Sequence, residues 1–220
     1  MEMHSQAFLD NAREALGDPE KVRRRDLMAV FTPTVRNAAM ESFGKFEPLR
    51  QHLRRIRQHT LNNLDHYLDR FEQEALSNGN QVHYATDGEE MNRIVLDICQ
   101  RHSARRVAKG KSMVTEETGL SHHLQGAGLN VTETDLGEYI VQQAGEPPSH
   151  IVGPALHKSA AEVRDLFLAR HDLGERELEE TSQLVQEARG VLRQRFLEAD
   201  VGIIGANALV AENGYSMLVT

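Results

Sequence analysis

The sequence predicts an α/β fold with an open, mainly parallel β-sheet and helices on both of its faces. Five short apolar runs have the length and composition of strands, and they lie near residues 81–85, 106–109, 130–134, 150–153 and 201–205. Stretches with apolar residues at helical spacing lie between these runs. Such an alternation of strand and helix is typical of a parallel sheet that is covered by helices on both sides.

The composition indicates one globular domain with an additional arm. The chain has 220 residues, of which 40% are hydrophobic and 26% are charged, as in proteins with a buried core. The net charge of −8 argues against nucleic acid as the main partner. No apolar run approaches the ~20 residues that span a bilayer, and the N-terminus lacks the pattern of a signal peptide. The sequence therefore predicts a cytoplasmic protein without a membrane span.

The first part of the chain is interpreted as an arm over residues 1–45, ahead of a main domain over residues 46–220. A short helix is expected over residues 5–15 of this arm. Thr32-Pro33-Thr34 is predicted to break any helix there, because a residue before proline disfavours the α conformation. A long helix is then predicted with Pro48 in its first turn, where the missing N–H costs nothing, and it ends near Ser77.

The later helices and strands alternate along the chain. Thr86 and Asp87 cap a predicted helix that runs through His102, and Thr115 caps the next one. Further helices are predicted over residues 136–143, 159–170 and 177–199. The turn at Asn213-Gly214 predicts a hairpin with arms at residues 208–211 and 215–219. Because the last run resembles a strand that continues, we expect a longer protein, truncated here at its C-terminal end.

A lysine-rich loop predicts an anion-binding site. Lys109, Gly110, Lys111 and Ser112 follow the apolar run at 106–108 and precede a predicted helix start. Backbone N–H groups and the helix dipole favour an anion at such a position, and two ammonium groups stand beside it. The sequence therefore predicts that this loop binds a small anionic ligand.

Polar residues also follow three later strands of the predicted sheet. In open α/β sheets, ligands bind at the carboxyl ends of the strands, so these residues are expected at the same edge as the lysine-rich loop. One wall of the expected cleft consists of Lys111, Ser112, Thr115 and Glu116, with Lys109 beside it, and the rest consists of Thr134, Asp135, His157, Lys158 and Asn207.

Several familiar motifs are incomplete. Gly110-Lys111-Ser112 resembles the end of a P-loop, but Arg105 stands where that motif has its first glycine, which excludes nucleotide hydrolysis. Gly126-Ala127-Gly128 lacks the third glycine of a dinucleotide-binding fingerprint. The adjacent His122 and His123 would point about 100° apart on a helix and chelate poorly, so no metal site is predicted.

Two further residues are of chemical interest. Cys99 is the one cysteine, and its helical apolar neighbourhood predicts a buried, inert thiol that cannot by itself hold an iron–sulfur cluster. Glu212 stands just past an apolar run, in Ala211-Glu-Asn-Gly214. It is either a hairpin residue or a nucleophile or acid/base at the sheet edge.

Four separate blocks of the sequence also carry a resemblance to a known family. The blocks are Lys111-Ser-Met-Val-Thr-Glu-Glu-Thr-Gly-Leu120, Glu133-Thr-Asp-Leu-Gly-Glu-Tyr-Ile140, Pro148-Ser-His-Ile-Val-Gly-Pro-Ala-Leu-His-Lys158 and Ala199-Asp-Val-Gly-Ile-Ile-Gly-Ala-Asn207. Together, and in this order, they resemble the lactate-utilisation (LUD) domain family. The similarity covers roughly residues 20–220.

The resemblance implies a fold like that of the ribose-5-phosphate isomerase, glucosamine-6-phosphate deaminase and CoA-transferase group. It implies a domain of a subunit in an iron–sulfur complex that oxidises L-lactate to pyruvate, with other lactate-utilisation subunits as partners. The clusters are expected in a cysteine-rich segment that follows this domain in full-length members, so no cofactor is expected in this chain. A carboxylate such as lactate would bind near Lys111, and His157 would accept the hydroxyl proton.

Two alternatives to this function stay open from the sequence. In the first alternative, the domain is a docking scaffold that binds partner subunits and performs no chemistry. The third hypothesis is acyl transfer through Glu212, because Glu212-Asn213-Gly214 resembles the nucleophile motif of some CoA transferases. Whether the domain is itself an enzyme is not decided by the sequence.

Overall fold

The computed structural model describes residues 7–219, which form ten α-helices and five β-strands. The helices are α1 (Phe8–Gly17), α2 (Pro19–Ser42), α3 (Phe46–Asn62), α4 (Leu64–Ser77), α5 (Gly88–Arg101), α6 (Met113–Glu117), α7 (Leu120–Gly126), α8 (Leu136–Ala144), α9 (Ala160–Arg170) and α10 (Thr181–Glu198). The strands are β1 (Arg106–Lys109), β2 (Asn130–Glu133), β3 (Val201–Ile203), β4 (Ala208–Val210) and β5 (Tyr215–Met217). Residues 1–6 of the predicted arm, and Thr220, lie outside the described residues.

The chain packs as two compact units. Among the described residues, one comprises residues 84–205 with residues 7–10, and the other comprises residues 11–83 with residues 206–219. No helix within residues 7–219 is both long enough and apolar enough to cross a membrane. The boundary predicted between residues 45 and 46 stays a prediction.

The unit of residues 84–205 contains a three-stranded parallel sheet with the strand order β2-β1-β3. Val107 of β1 pairs with Val131 of β2 on one side and with Val201 of β3 on the other. The strands predicted near residues 106–109, 130–134 and 201–205 are therefore confirmed, and so is their parallel orientation. The fold is α/β and rich in helix.

Two of the five predicted strands are wrong. Residues 81–85 are irregular and mostly exposed, and residues 150–152 lie in bends with exposed side chains. A strand of a parallel sheet needs both faces covered, and a short apolar run alone does not supply that cover. In the second segment, His150 Nδ1 accepts the main-chain N–H groups of Val152 at 3.1 Å and of Gly153 at 3.2 Å. A side chain therefore takes hydrogen bonds that a strand would use.

Two apolar clusters form the core of this unit. The first joins α5, α7 and the sheet, and it consists of Cys99, Val107, Leu120, Leu124, Leu129 and Val131. The second joins α8, α9 and α10, and it consists of Tyr139, Ile140, Phe167, Leu178, Leu184, Ala188 and Leu192. Side chains alternate along a strand, so Val107 faces the first cluster and Ala108 faces the opposite side. Helix α10 also contacts β1, so helices flank the sheet as predicted.

Cys99 is fully buried in the first of these clusters, as the sequence predicted. Burial raises the pKa of the Cys99 thiol above its usual value, because a thiolate is poorly solvated there. Only the thiolate is a good nucleophile and metal ligand, so this environment agrees with an inert side chain.

The N-terminal helices differ from the prediction at two places. Helix α2 passes through Pro33 without a break, and Thr34 Oγ1 donates to the Val30 carbonyl at 2.7 Å. A residue before proline tends to avoid the α conformation, but this tendency is only a bias. Pro33 removes one main-chain donor, and the 24-residue helix continues on both sides of it. Asn63 separates α3 from α4, which the sequence predicted as one helix. Its Nδ2 donates to the His59 carbonyl at 2.8 Å, a local bond that competes with the helix.

Side chains cap the helices around the sheet. Asp87 Oδ1 accepts a main-chain N–H of α5 at 2.8 Å, and Ser159 begins α9 with a capping box, both as predicted. The expected cap at Thr115 is wrong. Ser112 is the N-cap of α6, with its Oγ 3.4 Å from the Thr115 nitrogen, because the extended backbone at Ser112 ends the loop three residues earlier.

The second unit holds the predicted hairpin. Strands β4 and β5 pair antiparallel, and Gly214 closes the turn with φ +69°. A Cβ at Gly214 would lie 2.4 Å from the Ala75 nitrogen of α4, so only glycine fits this approach. Asn78 Nδ2 also donates to the Asn213 carbonyl at 2.8 Å, which ties the hairpin turn to the end of α4.

Candidate functional site

The carboxyl ends of the three parallel strands lie side by side. The Gly110 N–H, directly after β1, donates to the Ile203 carbonyl of β3 at 2.7 Å. On the other side, the main-chain N–H and Oγ1 of Thr134 both donate to the Lys109 carbonyl, at 2.8 and 3.0 Å. The lysine-rich loop therefore begins in the middle of the sheet edge at which a ligand was predicted. Thr134 lies at the same edge.

Lys109 is a buried cation between two carboxylates. Its Nζ lies 2.5 Å from Glu116 Oε1 and 2.9 Å from Glu133 Oε2, and its side chain is 0% exposed. Ser121 Oγ donates to the other oxygen of Glu133 at 2.6 Å. Burial alone would lower the pKa of Lys109, but the hydrogen bonds with Glu116 and Glu133 raise it above its usual value. The ligand-binding roles expected of Lys109 and Glu116 stay predictions, since each is the other's partner here.

Lys111 lies on the same loop but remains accessible, with 32% of its side chain exposed. Its Nζ lies 2.7 Å from Glu138 Oε1 and donates to the Val152 carbonyl at 3.2 Å. A lysine ammonium has three N–H donors, and the described residues occupy two of them. One donor is therefore available to a ligand at this edge of the sheet. Ser112 and Thr115, by contrast, are buried and bond to each other in the helix cap.

Glu138 is the buried partner of Lys111, and its side chain is 5% exposed. Its second oxygen, Oε2, is buried and has no hydrogen-bond partner among the described residues. Burial and the neighbouring Asp135 raise the pKa of Glu138 to about 7, against the opposing effect of Lys111. A buried acceptor without a partner costs about 1–3 kcal/mol, and a proton on the carboxyl group relieves that cost. Glu138 is thus a carboxyl group that holds a proton close to neutral pH.

Asp135 is the neighbouring carboxylate that raises the pKa of Glu138. It caps α8, where its Oδ1 accepts the Gly137 N–H at 3.1 Å. The neighbouring Glu138 carboxyl group, together with the main-chain N–H groups of the helix start, holds the pKa of Asp135 below its usual value. The pKa values of the two carboxyl groups are therefore shifted in opposite directions, so Glu138 is the one of the two that holds a proton near neutral pH.

His157 and Lys158 lie together in the loop between α8 and α9. His157 Nε2 lies 2.8 Å from Glu146 Oε2, and its Nδ1 lies 2.8 Å from Ser149 Oγ. Lys158 Nζ contacts the other oxygen of Glu146 at 2.5 Å. The hydrogen bonds with Lys158 and then His157 hold the pKa of Glu146 below its usual value. Both ring nitrogens of His157 have partners, so its role as a proton acceptor stays a prediction.

This loop reaches the Lys111 site. Val152 supplies the carbonyl that Lys111 contacts, and a Cβ at Gly137 would lie 3.0 Å from the Pro154 ring, so Pro154 packs on the first turn of α8. The side chains at the tip are nevertheless in solvent, with Ile151 67% and Val152 75% exposed. Main-chain contacts, more than apolar burial, hold the tip against Lys111.

Asn207 and Glu212, the remaining predicted site residues, belong to the second unit. The Asn207 N–H donates to the Met217 carbonyl at 2.8 Å, and its Oδ1 accepts the Val219 N–H at 2.8 Å. Glu212 is exposed in the turn between β4 and β5. The contacts of Asn207 are those of a hairpin residue, and the functional roles of both residues stay predictions.

Three carboxylates of this region were not singled out from the sequence. Glu138 follows Asp135 by three residues, a spacing typical of a capping box, which is a signal for a first helical turn but not for burial. Glu133 ends a strand on the same face as Val131, where an apolar residue is the usual choice. Glu146 lies in the irregular segment just after α8, and no local pattern marks it as a partner of residues eleven and twelve positions later.

Within residues 7–219, no group of three or more histidine, cysteine, aspartate or glutamate side chains is arranged to hold a metal ion.

Comparison with known proteins adds to this geometry. Residues 68–220 match the family described as LUD domain. Lactate utilization protein B of Bacillus velezensis is 45% identical over 205 residues, which are 93% of this chain and 40% of that protein. Lactate utilization protein B of Bacillus subtilis is 44% identical over 188 residues, 85% of this chain and 39% of that protein. The chain thus spans about two fifths of the length of these curated relatives. No solved structure gives a significant match.

Proposed function

The chain belongs to the LUD-domain family, and we propose that it serves lactate utilisation as the ligand-binding domain of an L-lactate-oxidising iron–sulfur complex. Relatives named lactate utilization protein B, from two species of Bacillus among others, support the pathway. The ligand is a small carboxylate, with L-lactate as the first choice. Other lactate-utilisation subunits are its proposed partners.

The observation that carries this proposal is the accessible ammonium of Lys111 at the carboxyl edge of the parallel sheet. Its neighbour Lys109 is fully enclosed and neutralised, whereas Lys111 retains an N–H donor and an exposed surface. A hydrogen bond between an ammonium and a carboxylate is about twice as strong as one between neutral groups. The position agrees with the general location of ligands in open α/β sheets.

The resemblance also implies iron–sulfur chemistry, and the residues of this chain do not fit a cluster. Such a cluster takes four ligands that are mainly cysteine thiolates, and the chain contains one cysteine, Cys99, in the apolar core. We therefore derive no electron-transfer step within these residues. Any clusters of the complex belong to residues outside this chain or to its partners.

The binding of L-lactate to the wild-type chain and to Lys111→Met tests the proposal. We expect the substitution to weaken binding by about 1–3 kcal/mol, or roughly 5- to 150-fold, because it removes a charge-assisted hydrogen bond. Isothermal titration calorimetry measures the change. Lys45→Met, at an exposed lysine of the other unit, is the matched control and should bind as the wild type does. Equal affinity of Lys111→Met and wild type would contradict the proposal.

A docking function is the second candidate, and exposed apolar side chains on α3 favour it. Leu49, Leu53 and Ile56 recur at helical spacing and are each about half exposed. Replacing all three by serine should weaken association with purified lactate-utilisation subunits, measured by sedimentation velocity. Leu197→Ser, at an exposed leucine of α10, is the control. Association that survives the triple substitution argues against a docking role for this surface.

Acyl transfer through Glu212 stays a prediction, and no observation among the described residues favours it. Glu212 is an exposed residue of a hairpin turn. Incubation with an acyl-CoA, followed by trapping of a glutamyl thioester, tests it directly.

A further inference from the structure

Lys111 already has a carboxylate partner, so a ligand carboxylate that reaches its free N–H donor competes with Glu138 for the same positive charge. Lys111 Nζ lies 2.7 Å from Glu138 Oε1, and the pair has one accessible and one buried member. A ligand approaches from the exposed side, where Lys111 is reached first. If both carboxylates stayed ionised around one ammonium, with Asp135 close by, negative charge would be in excess in a partly buried site.

We propose that a small carboxylate binds by replacing Glu138 as the partner of Lys111, and that Glu138 then takes up a proton that it shares with Asp135. The bound ligand and the proton together carry no net charge. This inference rests on the proposed function, since it requires a carboxylate at Lys111. It adds a residue, Glu138, and a coupling between ligand binding and protonation that neither the family nor the relatives' names assign.

The surroundings of Glu138 favour the neutral form once Lys111 has turned to the ligand. Glu138 Oε2 is buried and has no donor among the described residues, so an ionised Glu138 without Lys111 would leave both oxygens poorly solvated. A proton on Glu138 makes it a hydrogen-bond donor, and the Asp135 carboxylate at the start of the same helix is the proposed acceptor. The two carboxyl groups then satisfy each other without an external cation.

Two charged groups, on different elements, act on the protonation of Glu138. Lys111, from the loop after β1, favours the ionised form, and Asp135, at the start of α8, favours the neutral form. The α8–α9 loop contributes the Val152 carbonyl and Pro154, which do not titrate. The titratable groups at the ends of β2 and α9 have other partners: Glu133 bonds to Lys109 and Ser121, and His171 bonds to Tyr139 and Glu187.

The loop tip can make room for the ligand at low cost. The Val152 carbonyl is its contact with Lys111, at 3.2 Å, and a ligand oxygen can take its place. Ile151 and Val152 are already mostly exposed, so a shift of the tip uncovers little apolar surface. The base of the loop is held separately, by the contacts of Glu146 with His157 and Lys158.

The proposal sets the expected size of the proton uptake. The pKa of Glu138 is about 7 before ligand binding, so the Glu138 side chain is half protonated in the free protein at pH 7. Ligand binding should then take up about half a proton at pH 7, close to none at pH 5, and close to one at pH 8.5. The affinity should fall about tenfold for each pH unit above 7, since each binding event then requires a proton from solution.

Calorimetry with sodium L-lactate in buffers of different ionisation enthalpy measures this uptake directly on the wild-type chain. Glu138→Gln imitates the protonated side chain, so its binding should be independent of pH and free of proton uptake. Glu117→Gln, at an exposed glutamate of α6, is the matched control and should behave as the wild type does. Asp135→Asn keeps a good helix cap but removes a negative charge that raises the pKa of Glu138, so the pH at which binding takes up half a proton should move below 7.

The outcomes separate this inference from the proposed function. L-lactate binding that requires Lys111 but exchanges no protons at pH 7 or 8.5 overturns the inference and leaves the proposed function intact. Proton uptake that persists in Glu138→Gln also overturns it, because another group must then be the acceptor. The absence of L-lactate binding overturns both. Proton uptake by the wild type, lost in Glu138→Gln and kept in Glu117→Gln, supports the inference.

Discussion

Two lysines that are separated by one glycine have different environments in this protein. Lys109 is enclosed between Glu116 and Glu133, and Lys111 is accessible at the edge of the sheet. The strand places Lys109 on the buried face that Val107 shares, and the chain leaves the sheet at Gly110. Two side chains of the same chemistry are thereby separated into a structural cation and a candidate ligand-binding cation.

Removal of the Lys109 charge should strongly destabilise the fold. Lys109→Met leaves two carboxylates in a site without their cation, and breaking a buried ion pair in this way costs about 3–5 kcal/mol. Urea unfolding at pH 7 measures the free energy of unfolding. The double variant Lys109→Met/Glu133→Gln should recover part of the loss, since it removes one of the unpaired charges. A loss below about 1 kcal/mol in the single variant would show that the carboxylates do not depend on Lys109.

Glu138 should make the fold less stable as the pH rises from 4.5 to 7. In the unfolded chain its carboxyl group loses the proton near the usual glutamate pKa of 4.5, whereas in the folded chain it keeps the proton to about pH 7. The folded state therefore binds more protons in this window, and stability decreases with pH there, by up to about 3 kcal/mol. The pKa of Asp135 is lower than its usual value, so Asp135 changes the pH dependence of stability only below pH 4.5.

Urea unfolding of the wild type and of Glu138→Gln at pH 5 and pH 8 tests this linkage. Glutamine does not titrate, so the variant should lose less stability between the two pH values than the wild type does. Glu117→Gln should follow the wild type. Identical pH dependence of all three proteins would mean that Glu138 ionises at the same pH in the folded and unfolded chains.

At the level of elements, helix caps and close contacts determine where each segment begins and ends. The cap residues Asp87 and Ser159 were predicted from sequence and are confirmed, because a cap needs only local hydrogen bonds. The break between α3 and α4 at Asn63 was missed, and so was the continuation of α2 through Pro33. Both depend on the balance of weak local preferences. Gly214 differs from these cases because α4, a distant segment, restricts it.

Gly214→Ala should destabilise the hairpin. The residue has φ +69°, and a Cβ would lie 2.4 Å from the Ala75 nitrogen. Left-handed backbone and overpacking together should cost about 2–4 kcal/mol. Thermal unfolding followed by circular dichroism measures the loss. Gly190→Ala is the matched control, since no atom from outside its own helix lies within 4 Å of where a Cβ would be, and alanine should add about 0.5–1 kcal/mol. Equal melting temperatures of Gly214→Ala and wild type would contradict the close packing.

At the level of the whole molecule, the family match crosses the two compact units. It begins within α4 at residue 68 and continues through the sheet to the hairpin. The region that the family shares therefore includes the candidate site in one unit and the hairpin of Glu212 in the other. The likeness of the fold to the ribose-5-phosphate isomerase and CoA-transferase group stays a prediction.

The purified chain should contain no iron–sulfur cluster. It has a single cysteine, buried in the core, and a cluster takes four ligands that are mainly thiolates. Iron and acid-labile sulfide analysis of the protein, purified without oxygen, measures the content. Cys99→Ser is the control and should give the same values. Stoichiometric iron and sulfide in the wild type, lost in Cys99→Ser, would contradict this expectation.

The sequence by itself determined the elements whose signals are local. Short apolar runs predicted the three parallel strands, helix caps predicted the starts of α5 and α9, and Asn213-Gly214 predicted the hairpin. The four sequence blocks predicted the LUD-domain family, which the comparison confirms. The runs at 81–85 and 150–152 failed as strands because a strand exists only with partners, and their pairing was not encoded locally.

Only the tertiary structure decided the chemistry of the site. Sequence placed Lys109, Lys111, Thr134 and Asp135 near one edge of a sheet, but it did not show which charges are enclosed. Glu138 became a candidate because the loop, helix α8 and Asp135 together bury its carboxyl group beside one lysine. The physical reason is that a side chain's charge state depends on solvent access and on partners from other elements, whereas caps and turns depend on neighbours along the chain.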